Sequence, residues 1–155
     1  MARLELAVSI NATPEQIWPI LADFEGQKQW MVDLRKLDIT SKVGTGIGTR
    51  MEVTSELFGL PVVKDVMVVD YWQPPLLYSV IHVGQFSGTG VFELRPAGGM
   101  TEFIWVEEFR PPLGPLGELG FKLVVAPHLR SVFLRSMTNV KRLAEAVAAS
   151  DAAQA

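Results

Sequence analysis

The chain has 155 residues, a formal net charge of −3 and no cysteine. One domain of ordinary size fits that length. The acidic balance excludes a general nucleic-acid binder, which needs a basic stripe to displace phosphate counterions, and the missing thiols exclude disulfides, thiolate nucleophiles and cysteine-based metal sites. An apolar share of 48% and a charged share of 20% are those of a globular chain. Only Ser150–Ala155 reads as a small, polar tail expected to fray beyond a domain spanning 1–149. No apolar stretch approaches the ~20 residues that span a bilayer. Met1–Glu5 lacks the apolar run of a signal peptide, and together with the absence of cysteine this leads to the expectation of a cytoplasmic protein.

In chain order, the first element is a strand over Arg3–Ile10. Leu4, Leu6, Val8 and Ile10 share one face, and Arg3, Glu5 and Ser9 lie on the other. Thr13-Pro14-Glu15-Gln16 then opens a helix. Thr13 caps it, Pro14 suits the first turn and Gln16 completes a capping box. Ile17, Ile20, Leu21 and Phe24 make its apolar face, and Gly26 is expected to end it. A second short helix is expected to carry Trp30 and Met31. From Leu34 the period returns to two, predicting strands over Leu34–Val43, Thr49–Leu57, Val62–Trp72, Leu76–Val83, Ser87–Arg95 and Thr101–Arg110. Glycine- and proline-rich connections separate them, so an antiparallel meander follows. Beyond Pro111-Pro112, Ala126, Leu129, Phe133, Met137, Val140, Ala144 and Val147 recur at spacings of three and four. That pattern is a long amphipathic helix, with a kink or restart at Pro127.

The class is therefore α+β: a curved, seven-stranded antiparallel sheet, two short helices after the first strand, and a long C-terminal helix. The helix buries its apolar stripe in the concave face of the sheet. It cannot fill that concavity, and an apolar cavity is the expected by-product.

Several segments carry a family resemblance. Val8-Ser9-Ile10-Asn11-Ala12-Thr13-Pro14-Glu15-Gln16-Ile17-Trp18, Gly46-Ile47-Gly48-Thr49-Arg50, Trp72-Gln73-Pro74-Pro75 and Gly88-Thr89-Gly90-Val91-Phe92-Glu93-Leu94 stand in an order that resembles the START-like (SRPBCC) superfamily, in its polyketide cyclase/dehydrase branch. The resemblance covers about Leu4 to Ala149. It implies a helix-grip fold around a hydrophobic pocket, in a group of lipid carriers, hormone- and allergen-type binders and aromatase/cyclases.

Strand alternation assigns the pocket wall. In the last strand Phe103, Trp105, Glu107 and Phe109 share a face, turned inward because aromatic rings bury the most apolar area. Tyr78, Val80 and His82 are assigned inward from the fifth strand. From the sixth come Gly88, Gly90, Phe92 and Leu94, where the glycines leave room for a ligand or for sheet curvature. Trp30, Phe58, Phe121, Val125 and Phe133 are expected as walls or lid.

Three residues are candidates for proton chemistry. Glu107, buried beside aromatics, is a candidate general acid or base, against the plainer reading of a carboxylate paired at the sheet edge. His82 is a candidate partner in proton transfer, or simply a wall residue. Tyr78 is a candidate hydrogen-bond donor to a ligand carbonyl, or a packed ring with its hydroxyl at the rim. His128, beside Pro127, reads as a surface or kink residue. Gly44–Gly48 is a hairpin rather than a phosphate loop, since no lysine and no helix follow it. No residue set has the spacing of a metal site, and no cofactor is expected. Three functions stay open: a carrier of a lipid or polyketide-like molecule, an aromatase/cyclase or dehydratase, and a regulatory module. A hydrophobic small molecule is the expected partner, and the chain is expected to be a monomer or a homodimer.

Overall fold

The computed structural model describes residues 1–84 and 86–155. Seven strands, β1 (Ala2–Ile10), β2 (Leu34–Ile39), β3 (Arg50–Leu57), β4 (Leu60–Gln73), β5 (Leu77–His82), β6 (Ser87–Ala97) and β7 (Met100–Arg110), form one antiparallel sheet. Their spatial order is β1-β7-β6-β5-β4-β3-β2. Strands β2 to β7 are thus a meander of nearest neighbours, as short connections dictate. The helical excursion after β1 frees that strand to pair with β7, in unbroken register from Ala2 opposite Phe109 to Ile10 opposite Thr101. The register slips between Leu34 and Lys36, between Ser55 and Leu57, and between Val69 and Tyr71. Such irregularities bend and twist a sheet locally, and here all three fall in its β2–β5 half.

Helix α1 (Pro14–Ala22) begins with the capping box read from the sequence. The Gln16 amide donates to Thr13 Oγ1 at 3.2 Å, and the Thr13 amide donates to Gln16 Oε1 at 3.0 Å. It ends at Ala22, before the expected stop at Gly26. Asp23 Oδ1 accepts the Gly26 amide at 3.0 Å, and a 3-10 turn, Glu25–Gln29, follows. Trp30 sits just past that turn rather than within it.

The C-terminal helical region starts earlier than expected. Leu113, in the left-handed region at φ 71°, leads into α2 (Gly114–Gly120), then a π-helical turn (Phe121–Val125), then α3 (Ala126–Gln154). Leu113, Leu116, Leu119 and Leu123 are all exposed. Without a buried face, α2 leaves no amphipathic signature in the sequence. The restart expected at Pro127 is the π turn just ahead of it, where the Ala126 amide reaches back to the Phe121 carbonyl. Residues 150–154, expected to fray, are the last turn of α3, and Gln16 Nε2 donates to Asp151 Oδ2 at 2.9 Å. Val132, Phe133, Ser136, Met137, Val140 and Ala144 form the buried face of α3. Each large apolar side chain among them contributes about 1.5–3 kcal/mol by leaving water. No helix among the described residues is long and apolar enough to cross a membrane.

Candidate functional site

Between the sheet and the C-terminal helices lies a mostly apolar cavity of about 110 Å³. Its walls come from β3, β4, β5, β6 and β7, from the π turn and from the first turns of α3. A cavity on the order of 150 Å³ accepts benzene in a protein core, so this hollow matches a single ring.

One line of polar side chains crosses the floor of the cavity. It follows from strand register and two kinds of gap. His82 on β5 faces Gly88 on β6, and Gly90 on β6 faces Glu107 on β7. Because β6 presents no side chain at Gly90, Glu107 reaches across it to His82, with Nε2 and Oε2 3.2 Å apart. A Cβ on Gly90 would lie 2.7 Å from Glu107 Oε1. The room left by that glycine, expected to serve a ligand or sheet curvature, is taken by the Glu107 carboxylate. On the other side His82 Nδ1 contacts Asp65 Oδ2 of β4 at 2.6 Å. Gly84 permits this approach, since a Cβ there would collide with Asp65 Oδ1. The order across the sheet is Asp65, His82, Glu107, with Trp105 Nε1 donating to Glu107 Oε1 at 2.8 Å.

Burial sets the electrostatics of this line. Glu107 and His82 are each 6% exposed. Desolvation alone pushes the imidazole down. The hydrogen bond to Asp65 and the adjoining Glu107 carboxylate outweigh it and raise the His82 pKa to about 10, so the ring is an imidazolium at neutral pH. His82 Nε2 approaches Glu107 Oε2 at 3.2 Å as an ion pair, and neither atom has any other hydrogen-bond partner. The Glu107 oxygen keeps a lone pair to spare, while the single Nε2 proton of His82 faces that carboxylate. Asp33, which also lines the cavity, leaves Oδ1 unpaired. Its pKa is pushed up to about 6, first by desolvation and then by the charges of Glu107 and Glu56 against the pull of its own backbone amide.

Of the twelve side chains expected at the pocket, the cavity brings together Tyr78, His82, Phe92, Trp105, Glu107, Phe109, Phe121, Val125 and Phe133. Three lie elsewhere. Phe103 is wholly buried beside Phe92, nearer the far end of β7. Trp30, 1% exposed, packs edge-on against Phe92 and Trp105 and so backs the wall without forming it. Phe58, 53% exposed, stacks on His128 at 4.4 Å, and its amide donates to His128 Nε2 at 3.2 Å. That contact joins the β3–β4 hairpin to α3 and gives His128 a positioning contact beyond that of a plain surface residue. Tyr78 is present but committed. Its hydroxyl is buried rather than at the rim; it donates to the Leu21 carbonyl at 3.2 Å and accepts from Gln27 Nε2 at 3.3 Å. Its one proton is therefore not available to a ligand carbonyl.

Sequence reasoning missed Asp65 and Asp33. Asp65 left a signal, since it shares a strand face with Val63, Met67 and Val69, all of which are partly or wholly buried. Asp33 left none, because it precedes β2 in an aperiodic loop. Among the described residues no group of acidic and histidine side chains has the arrangement to hold a metal ion.

A family model described as polyketide cyclase / dehydrase and lipid transport matches residues 1–145. The chain belongs to this family. Solved structures share its fold at low sequence identity. TTHA0849 from Thermus thermophilus is 18% identical, with a TM-score of 0.79 over 94% of this chain and 98% of that one. CV1439 from Chromobacterium violaceum is 14% identical, with a TM-score of 0.65 over 92% and 96%. The Aha1 dimer from Colwellia psychrerythraea is 16% identical, with a TM-score of 0.58 over 86% and 92%. No protein of curated function matches the chain in sequence. These likenesses establish the helix-grip fold, and the family supports a role in holding a hydrophobic ligand.

Proposed function

We propose that this protein binds a ring-bearing apolar small molecule in the cavity between its sheet and C-terminal helix, and that His82 and Glu107 orient it. The carrying observation is the buried His82–Glu107 ion pair at the floor of an otherwise apolar hollow, in which neither Nε2 nor Oε2 has any other hydrogen-bond partner. Buried polar groups without partners are costly, and a ligand with a complementary donor or acceptor relieves that cost. A few polar groups converging in an apolar pocket are the usual form of a small-molecule site. The test is native mass spectrometry after gentle purification, joined to titration with an environment-sensitive apolar fluorophore. A bound small molecule, or saturable fluorescence displaced by filling the cavity through Val80→Phe, supports the reading. A bare protein with no saturable probe binding ends it.

The same pair supports a second reading, proton-transfer chemistry on a polyketone-like substrate. Glu107 Oε2 takes a proton from a carbon next to a carbonyl, breaking that C–H bond. The His82 Nε2–H meanwhile hydrogen-bonds the oxygen that becomes the enolate. The enolate carbon forms a C–C bond to a second carbonyl of the same molecule, whose oxygen takes up a proton, and loss of water completes an aldol condensation. The cavity supplies the orientation that makes the attack intramolecular. Glu107→Gln and His82→Ala are expected to lower cyclisation of a short poly-β-keto thioester mimic by roughly 10²–10⁴-fold. Unchanged turnover in both variants overturns this assignment.

A further inference from the structure

The cavity holds more buried acid than base. Asp33, Asp65 and Glu107 line it beside the single imidazole of His82, and among the described residues no lysine or arginine does. Glu56 lines it too, but Arg35 answers that charge from outside. His82 is shared between Asp65 and Glu107, so one cation faces two anions. Asp33 stands apart from that pair. Arg135 has the smallest influence on it of the charges that reach it, and Arg135 is itself exposed on α3. Two acceptor atoms, Glu107 Oε2 and Asp33 Oδ1, are buried with no hydrogen-bond partner.

We infer that the cavity selects ligands carrying a protonated amine on an aromatic body, and discriminates against carboxylates such as fatty acids. This rests on the reading of the cavity as a binding site and adds the charge of its occupant. An ammonium group supplies the donor that Asp33 Oδ1 lacks, and it neutralises the surplus negative charge where the dielectric is low. The rings of Tyr78, Phe92 and Trp105 line the same space, so their faces and edges meet the aromatic body and their π-systems favour a cation. A carboxylate in the same place adds to the acid surplus, and the one cation it meets, His82, is already held by Asp65 and Glu107.

The test is an NMR titration with phenethylamine, phenethyl alcohol and phenylacetate, which share one ring and differ in charge. The amine is expected to bind roughly tenfold or more tightly than the alcohol, with phenylacetate weakest. Asp33→Asn is expected to remove most of the amine's advantage while leaving the alcohol's affinity unchanged, and Glu107→Gln serves as the second variant if the first does not fold. If the alcohol equals or exceeds the amine, the charge preference is wrong while the binding site stands. If none of the three binds and the apolar fluorophore also fails, the binding site falls and this inference with it.

Discussion

Raising the pH from about 6.5 to about 10 is expected to destabilise this protein through a single side chain. In the folded state His82 titrates at about 10, against an ordinary value of 6.5. Between those two values the folded protein holds a proton that the unfolded chain has released, so stability falls as pH rises through the window. The stabilisation is fully present below about pH 6.5 and gone above about pH 10. At about 1.4 kcal/mol per pKa unit the upper limit is near 5 kcal/mol, and relaxation of a buried charge cluster brings the realistic loss to ~2–3 kcal/mol. Other perturbed buried groups titrate outside this window. Asp33 changes charge around 6, and Tyr78 is pushed well above 10, first by burial and then by the nearby Glu107 charge. Urea unfolding at a series of pH values is the assay, with His82→Gln as the reference. The wild-type midpoint is expected to decline steadily across the window and the variant's to stay nearly level. A flat wild-type profile, or a ring-proton resonance that titrates near 6.5 and is assigned to His82 by its loss in His82→Gln, refutes the imidazolium between Asp65 and Glu107.

Asp33→Asn is expected to stabilise the protein by ~1–2 kcal/mol above about pH 6, because it removes a carboxylate whose folded pKa is raised, and to gain little at about pH 4, where the native acid is already protonated; urea midpoints at the two pH values decide it. Gly90→Ala is expected to cost ~1–3 kcal/mol, read from the same urea midpoints. The new Cβ falls 2.7 Å from Glu107 Oε1, and the carboxylate has to leave either the Trp105 indole or His82. A shifted Trp105 indole N–H resonance without loss of stability argues instead that the carboxylate swings freely. Met137→Ala, on the fully buried face of α3, is expected to cost ~2–5 kcal/mol, read as a drop in the urea midpoint.

Most of the architecture is legible in the sequence because it rests on local periodicity. Alternation along Thr101–Arg110 puts Phe103, Trp105, Glu107 and Phe109 on one face, and all four are buried. The Thr13–Gln16 cap is a contact between neighbours in the chain, so its hydrogen bonds can be anticipated. The misses have equally physical causes. Helix α2 turns its leucines outward, which erases the apolar stripe that marks a helix. Phe58 is expected at the cavity because it is aromatic, but its place at the hairpin tip sends it onto His128. Trp30 and Phe103 are buried as expected, yet burial behind a wall and burial on its surface look alike in a sequence.

Residue types and their spacing were enough to determine a bent antiparallel sheet, a long C-terminal helix against it, and an inward-facing acid and histidine, because burying apolar area sorts side chains by face. What the tertiary structure alone decided is who meets whom. Asp65, His82 and Glu107 come from three strands, and they converge because β6 offers a glycine, Gly90, where Glu107 must pass to reach His82. Whether an imidazole there is charged depends on ångström-scale distances to two carboxylates far away in the chain. Distances of that kind are set by strand register and sheet curvature, which no local pattern encodes.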